Sequence, residues 1–140
     1  MKNKKLYHIL SWTWGLPMNL IGHMIAKILL SMQYKPKKWG GCQYFVVGEN
    51  WGAISLGTIV IVSKNHTEFM LNHEFGHSIQ NCYFGFLFPF VVAIPSYIRY
   101  WYYCTSVKFG LKDSNKMSDY YNAWFEKQAS ELGENSIKYW

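Results

Sequence analysis

The chain of 140 residues is long enough for one domain with one hydrophobic core. Half of its residues are hydrophobic and 19% are aromatic, and the aromatic share is well above that of an ordinary soluble protein. The net charge of +6 lies largely in lysine clusters that border the first apolar stretch, so the composition favours an anionic membrane surface as a partner and argues against nucleic acid.

The first predicted element is the apolar segment 6–32. It contains a single Asp, Glu, Lys or Arg residue, Lys27. A bilayer span needs about 20 apolar residues, so the segment is long enough to cross a membrane, with Trp12 and Trp14 at the interface. We therefore expect membrane association. The run Gly15-Leu16-Pro17 leaves open an interfacial or re-entrant helix pair, or a buried helix of a soluble core.

Two β-strands are predicted next. A short strand lies within 43–48, and the clearest strand is 53–63, which contains a β-branched run. Gly57 inside that strand indicates a bulge or the close approach of another backbone. A hairpin here would place a strand edge beside the following helix, where main-chain hydrogen bonds can hold an extended peptide.

The following helix carries His73-Glu74-Phe75-Gly76-His77, an H-E-x-x-H motif. Residues four apart lie on one helix face about 6 Å from each other, so His73 and His77 can bind one metal ion. Glu74 lies beside that metal and can take a proton from bound water. Zinc suits two imidazoles and one carboxylate, a donor set that leaves a fourth position open.

The residues around the motif predict where the helix begins and what it packs against. Asn65-x-x-Glu68 resembles a capping box, which predicts a start near His66. Gly76 costs a helix about 1 kcal/mol relative to alanine. That cost is explained if another backbone comes close to the metal.

The apolar stretch 83–98 follows the metal helix. Pro89 and Pro95 interrupt it, so we expect a kinked or re-entrant hairpin rather than a straight span. The aromatic residues that come next predict either an interfacial belt or a dense aromatic core.

The last predicted helix begins with Ser118 as N-cap and ends at Gly133. Glu126 shares a stripe with small residues that would let another helix pack closely, whereas Glu131 falls on the opposite side with polar neighbours. We therefore predict Glu126 as the third metal ligand, with an ordinary surface carboxylate as the alternative.

The three cysteines, Cys42, Cys82 and Cys104, form no C-x-x-C pair. The sequence therefore predicts neither a disulfide framework nor a cysteine zinc site. Three reduced thiols are expected in a cytoplasm-facing protein.

At the metal motif the chain resembles the zincin metallopeptidases of the gluzincin arrangement, in which H-E-x-x-H supplies two ligands and a Glu on a later helix the third. Glu126-Lys127-Gln128-Ala129 is similar to the E-x-x-A pattern of that later helix. Ser130 stands where many gluzincins carry Asp or Asn, and the region around Phe86 lacks an expected proline. Over 10–133 the chain also resembles small bacterial proteins regarded as membrane-associated metallopeptidases, through the runs Trp51-Gly52, Ser55-Leu56-Gly57, His73 to Gln80 and Ile94-Pro95-Ser96.

The resemblance implies an α+β, zincin-like domain with a short β-hairpin or sheet, a metal-binding helix, a C-terminal helix and apolar membrane-associating helices. It implies one domain, 1–140, with a membrane-associating segment at 6–32 and a metallopeptidase-like core at 43–133. The expected function is zinc-dependent hydrolysis of a peptide or protein substrate, with membrane lipid as a partner and the site facing the cytoplasm. The alternative is a non-catalytic membrane-associated protein that keeps zinc for structure or partner binding.

Overall fold

The computed structural model describes residues 1–110 and 121–140, which form an α+β fold, as predicted. The described residues contain five α-helices and four β-strands. In chain order these are α1 (Lys4–Trp12), α2 (Leu16–Ser31), β1 (Lys37–Trp39), β2 (Cys42–Val46), β3 (Ala53–Leu56), β4 (Ile59–Val62), α3 (Glu68–Phe84), α4 (Ile94–Lys108) and α5 (Trp124–Ile137). A 3₁₀ turn and a π-helical turn connect α3 to α4 across Gly85–Leu87 and Pro89–Ala93.

The strands form one sheet in the order β1-β2-β4-β3, with β3 at an edge. The segment predicted as one strand is instead the β3–β4 hairpin, so that prediction was wrong. Gly57 turns the chain with φ +67°, a conformation that glycine adopts without strain. A Cβ on Gly57 would lie 2.9 Å from the backbone nitrogen of Asn19, which confirms the predicted close approach of another backbone.

Helix α3 occupies the centre of the fold. It begins at Glu68, and the hydroxyl of Thr67 caps it by accepting the Met70 N–H, so the predicted capping box was wrong. Every residue from 73 to 82 is buried, because other elements cover both sides of the helix. The metal motif therefore lies inside the protein.

The backbones of α3 and α5 touch directly. A Cβ on Gly76 would lie 1.8 Å from the carbonyl oxygen of Ala129, and one on Gly133 equally close to that of Asn72. The backbone approach predicted at Gly76 is confirmed. Gly133 is not the helix end that was predicted, because α5 continues past it and uses the glycine for packing; the predicted start, Ser118, lies outside the described residues.

The segment 6–32 forms two helices that break near Gly15. Tyr7 on α1 packs in one core cluster with Phe75 on α3, and Met18 on α2 packs in another with Val92. One side of each helix therefore belongs to the core, while the other side exposes large apolar residues.

Within residues 1–110 and 121–140, no single helix combines the length and apolar character needed to cross a membrane. Residues 68–87 and 89–108 meet those requirements only together, and they are bent by 118°. The predicted break is confirmed at Pro89, which begins the π-helical turn at the bend. The break predicted at Pro95 was wrong, because this proline lies in the first turn of α4, where a helix tolerates it.

Candidate metal centre

Three buried side chains converge between α3 and α5. His73 and His77 come from adjacent turns of α3, and Glu126 comes from the first turn of α5. The Nε2 atoms of the two histidines are 3.1 Å apart, and Oε2 of Glu126 lies 3.0 Å from His73 Nε2 and 3.2 Å from His77 Nε2. The group can bind a metal ion.

The hydrogen bonds of Gln80 determine the tautomer of His77. The amide nitrogen of Gln80 donates to the carbonyl of Phe125 at 2.8 Å and to the side chain of Gln128 at 2.9 Å. Its Oε1 therefore faces His77 Nδ1 at 2.8 Å and accepts a proton from that ring nitrogen. With Nδ1 protonated, neutral His77 presents a lone pair on Nε2 to the centre.

Ser130 determines the tautomer of His73 in the same way. Its hydroxyl donates to the carbonyl of Glu126 at 3.2 Å, so its oxygen accepts from His73 Nδ1 at 2.9 Å. Neutral His73 therefore also presents a lone pair on Nε2. Ser130 thus orients the ring, the role that Asp or Asn fills in many gluzincins.

Two imidazole lone pairs and one carboxylate oxygen therefore face each other in a buried space, which is unfavourable unless a cation lies between them. Ligand atoms about 2.0–2.1 Å from a tetrahedral zinc ion lie roughly 3.3 Å apart, close to the three separations observed here.

Burial lowers the pKa of His73, which opposes protonation of this ring. Burial also acts to lower the pKa of His77, but its hydrogen bond to Glu126 and the nearby carboxylates raise it overall. A proton on His77 resolves the metal-free site, and a metal ion would replace it.

Glu126 presents one oxygen to the centre and the other to α4. The hydroxyl of Ser96 donates to its Oε1, which leaves Oε2 for the histidines. Burial acts to raise the pKa of Glu126, but the adjacent rings of His73 and His77 outweigh it and hold the pKa below its ordinary range. Glu126 is therefore a carboxylate, and Ser96 favours its binding a metal through a single oxygen.

The helical phase predicted for α5 is confirmed. Glu126 is fully buried against α3, and Glu131 lies on the exposed side of the helix. Ser96 was missed as a partner of Glu126. It belongs to a run that carries part of the family resemblance, but no local pattern connects it to a helix 30 residues later.

Glu74 lies on the wall of a cavity of about 180 Å³ that also reaches His77. Burial raises the pKa of Glu74 to about 7. A carboxylate with this pKa can both accept and release a proton near neutral pH. The cavity therefore brings together a metal-binding imidazole and a group suited to proton transfer.

Tyr121 packs edge-on against His73, with the ring centroids 5.0 Å apart. Burial raises the pKa of its hydroxyl to about 12, so Tyr121 stays protonated.

The chain matches no protein-family model, no curated protein and no solved structure.

Proposed function

We propose that this protein is a zinc-dependent peptidase that hydrolyses peptide bonds at a membrane surface. The observation that carries the proposal is the convergence of three lone pairs, from His73, His77 and Glu126, beside a cavity that holds Glu74. A structural zinc site usually closes all four positions with protein ligands, whereas three ligands next to a cavity leave one position for water or substrate.

Zinc is the metal proposed, because two imidazoles and one carboxylate form the donor set of many hydrolytic zinc sites. The hydrogen bonds that the outer ring N–H groups of His73 and His77 donate to Ser130 and Gln80 support it, since such partners orient metal-ligating histidines and make them better ligands.

In the proposed reaction, the metal and Glu74 have separate roles. Bound zinc would polarise the scissile carbonyl and lower the pKa of the attacking water. Glu74 takes a proton from that water and passes it to the leaving amine. Its pKa of about 7 suits both steps, since the carboxylate must bind the proton and then release it.

The position of β3 supports a peptide as substrate. Ser63 N–H donates to the carbonyl of Gly52 at 2.9 Å, so residues 52, 54 and 56 of the hairpin direct their main-chain groups towards β4. The main-chain groups of Ala53 and Ser55 point to the free edge, where an extended peptide can add as another strand. Both residues line the cavity with Glu74, so the bound peptide would lie beside the catalytic group.

The exposed apolar surface supports the membrane location. One side of α2 exposes an aliphatic stripe, and the bend with the start of α4 exposes aromatic and aliphatic side chains. The rings of Trp14 and Phe86 are in contact, with centroids 5.3 Å apart, and connect the two areas. The members of this membrane-facing surface are Trp14, Leu20, Ile21, Met24, Ile28, Phe86, Leu87, Phe90, Ile94, Ile98 and Trp101. Monomeric proteins rarely expose contiguous apolar patches larger than a few hundred Å². We propose that this surface rests on anionic lipid beside the flanking lysines, with the site on the cytoplasmic side.

Vesicle flotation tests the location. The wild type should float with vesicles that contain anionic lipid, and Met24→Glu or Phe90→Glu should reduce the floating fraction. Asn135→Glu adds the same charge at an exposed position of α5 and should have no comparable effect. A wild type that stays monomeric and unbound without detergent would disprove the membrane location.

Turnover of a peptide library by the zinc-loaded protein tests the function. Glu74→Gln should keep zinc and lower the cleavage rate by about 100-fold or more, the usual contribution of a general base. Glu131→Gln, a matched change at an exposed position, should leave the rate unchanged. Equal rates in wild type and Glu74→Gln would disprove the mechanism. If the wild type, Glu74→Gln and Glu131→Gln all bind zinc and none of them cleaves a peptide, a non-catalytic zinc site is favoured.

A further inference from the structure

A second cavity lies between α1, α2 and the sheet, and it shares no lining residue with the cavity beside the metal centre. Thr58 and Ile59 are buried and form its floor, while the more exposed His8, Trp12 and Gln43 form its rim. Its volume is about 150 Å³. A cavity of about this volume holds a benzene ring, so this one has room for the smaller phosphate group.

The second cavity offers hydrogen-bond donors but no carboxylate. A ring nitrogen of His8, the indole N–H of Trp12 and the amide of Gln43 can each donate. None of these side chains has a hydrogen-bond partner in the part of the chain that the structure describes. No Asp or Glu occurs among the described residues of the lining. An anion would therefore meet donors without repulsion, whereas a cation would find no opposite charge.

The α2 side of the second cavity lies close to a positive charge. His23 lines the cavity, and its Nε2 is 3.2 Å from Oγ1 of Thr58. Burial lowers the pKa of His23, and the charge of Lys27, one turn further along α2, lowers it as well. Among the described residues no carboxylate forms an ion pair with Lys27. A bound anion would pair with this ammonium group and offset its repulsion of a protonated His23.

The surrounding chain adds to this positive charge. Residues 1–48 contain seven lysines and no Asp or Glu. Lys5 lies on the same face of α1 as His8 and Trp12, because they follow it by three and seven residues. Within residues 1–110 and 121–140, none of the seven lysines forms an ion pair. Positive charge without a local counter-ion favours a phosphate over a neutral ligand.

The border between the second cavity and the membrane-facing surface indicates the source of the phosphate. Met24 belongs to that surface, and Lys27 follows it by three residues, so the two side chains are neighbours on α2. Trp12 at the rim is 46% exposed, and tryptophan is typical of the headgroup level of a bilayer. An apolar stripe and a basic cavity therefore meet along α2, which matches the chains and the headgroup of a phospholipid.

We infer that the second cavity binds the phosphate of an anionic phospholipid, with Lys27 and the donors of the rim contacting its oxygens and the acyl chains resting on the membrane-facing surface. The assignment of the phosphate to a lipid rests on the proposed membrane location, but it needs neither zinc nor peptide hydrolysis. The site recognises one headgroup at one place, which goes beyond the attraction of a basic protein to a charged surface.

Nuclear magnetic resonance of the full-length protein with labelled histidine rings tests the site. The lipid probes are dihexanoyl phosphatidylglycerol and dihexanoyl phosphatidylcholine, each added below the concentration at which micelles form. Phosphatidylglycerol should shift the signals of His8 and His23 and leave that of His66, which lies outside the lining, unchanged. It should bind at least about 10-fold more tightly than phosphatidylcholine, whose choline group brings a positive charge to a basic cavity. Equal affinities for the two lipids, or no shift of His8 and His23, would overturn the site.

Inorganic phosphate separates the two sources of the ligand. It should shift the same two histidine signals but bind more weakly than phosphatidylglycerol, because it makes no contact with the membrane-facing surface. Inorganic phosphate that binds as tightly as the lipid would assign the cavity to a free phosphate and overturn the lipid as its occupant.

Substitutions with matched controls test the charge of the cavity. Gln43→Glu places a carboxylate at an exposed position of the rim and should weaken phosphatidylglycerol binding by at least about 10-fold. Asn135→Glu adds the same charge to an exposed position of α5 and should change the affinity by less than about twofold, because solvent and salt screen it.

Lys27→Gln should weaken binding by about 5- to 10-fold, the range expected for one hydrogen bond to a charged group. Its control is Lys127→Gln, which removes a lysine from an exposed position of α5 and should leave the affinity nearly unchanged. Circular dichroism should show the same helix content in all four variants. Equal affinities in Gln43→Glu and Asn135→Glu, or in Lys27→Gln and Lys127→Gln, would overturn the site.

The lipid site and the proposed function can fail separately. Phosphatidylglycerol binding at His8 and His23, together with no cleavage of any peptide, would support the lipid site and disprove the peptidase. A wild type that floats with anionic vesicles but binds the two soluble lipids equally would support the membrane location and overturn the lipid site.

Discussion

Helix α3 buries polar groups on both of its sides, but the two sides differ in how those groups are paired. On the side that faces α1, the Tyr7 hydroxyl lies 2.5 Å from Ser78 Oγ and Ser11 Oγ lies 3.2 Å from Cys82 Sγ. Each of these hydroxyl and thiol groups can donate as well as accept, so in every contact one partner can donate a hydrogen bond to the other. On the side that faces α5, three acceptors meet with no proton between them in the neutral state.

The comparison shows that burial and short polar contacts do not by themselves mark a functional site. Burial raises the pKa of Cys42 and of Cys82 to about 11, so both thiols on the α1 side stay protonated and unreactive near neutral pH. These hydroxyl and thiol groups of the α1 side are paired without a ligand. The α5 side needs either an added proton or a metal ion between its three acceptors, and this mismatch of donors and acceptors in the neutral state identifies the site.

The largest effect should come from removing the carboxylate on the α5 side. Glu126→Ala leaves two imidazoles, a poor tetrahedral site, and should lower zinc affinity severely. Glu131→Ala removes an exposed carboxylate from the same helix and should change the free energy of unfolding by no more than about 0.5 kcal/mol, with zinc affinity unchanged. Competition with a chromophoric chelator measures both affinities. Similar affinities for the two variants would show that Glu126 is not a ligand.

The sequence predicted those features of the α5 side that depend only on residue spacing within a single helix. The spacing of His73 and His77 and the phase of Glu126 follow from 3.6 residues per turn, so the sequence was sufficient for the metal-binding group. Ser130 was noted only as a departure from the gluzincin pattern. Its bond to His73 depends on how closely α3 and α5 pack, which the helical period does not determine.

Contacts between distant segments account for what was missed. The β3–β4 hairpin was predicted as one strand, because both halves are apolar and the turn depends on Gly57 meeting Asn19 in α2. The Ser96–Glu126 bond likewise depends on how the bend before α4 places that helix. Such contacts come from tertiary packing, and no periodicity encodes them.

Glu74→Gln should stabilise the metal-free protein at high pH. The folded-state pKa of Glu74, about 7, exceeds the ordinary value of 4.5, so the unfolded chain releases this proton first as the pH rises. The carboxylate therefore destabilises the fold increasingly between about pH 4.5 and pH 7 and fully above that range. At 1.36 kcal/mol per pKa unit, the variant should gain up to about 3 kcal/mol over wild type at pH 8 and little at pH 5. Urea unfolding in the presence of a chelator measures this difference. A gain that is equal at both pH values would contradict the raised pKa.

Ser130→Ala should affect the metal more than the fold. It removes the hydrogen bond that orients His73, and losing such a partner typically lowers metal affinity by about 10- to 100-fold. Gln128→Ala, which removes another side chain of α5 that bonds only indirectly to the site, should have a smaller effect. Equal zinc affinity in Ser130→Ala and wild type would show that the serine does not orient the ring.

The smallest effect on the metal should come from the α1 side. Tyr7→Phe removes a hydroxyl that bonds Ser78 and should lower the free energy of unfolding by about 1–2 kcal/mol. Zinc affinity should not change, because Tyr7 lies across α3 from the histidines. A loss of zinc affinity in Tyr7→Phe, with the fold intact, would contradict the separation of the two sides.

Metal analysis of purified protein, alone and in a variant without both histidines, tests the central claim most directly. The wild type should hold about one zinc ion per chain, since its three ligands make one tetrahedral site with an open position. The His73→Ala, His77→Ala double variant should hold none, and circular dichroism should show that it keeps its helices. Stoichiometric zinc in the double variant, or a wild type that binds no divalent metal, would contradict the account.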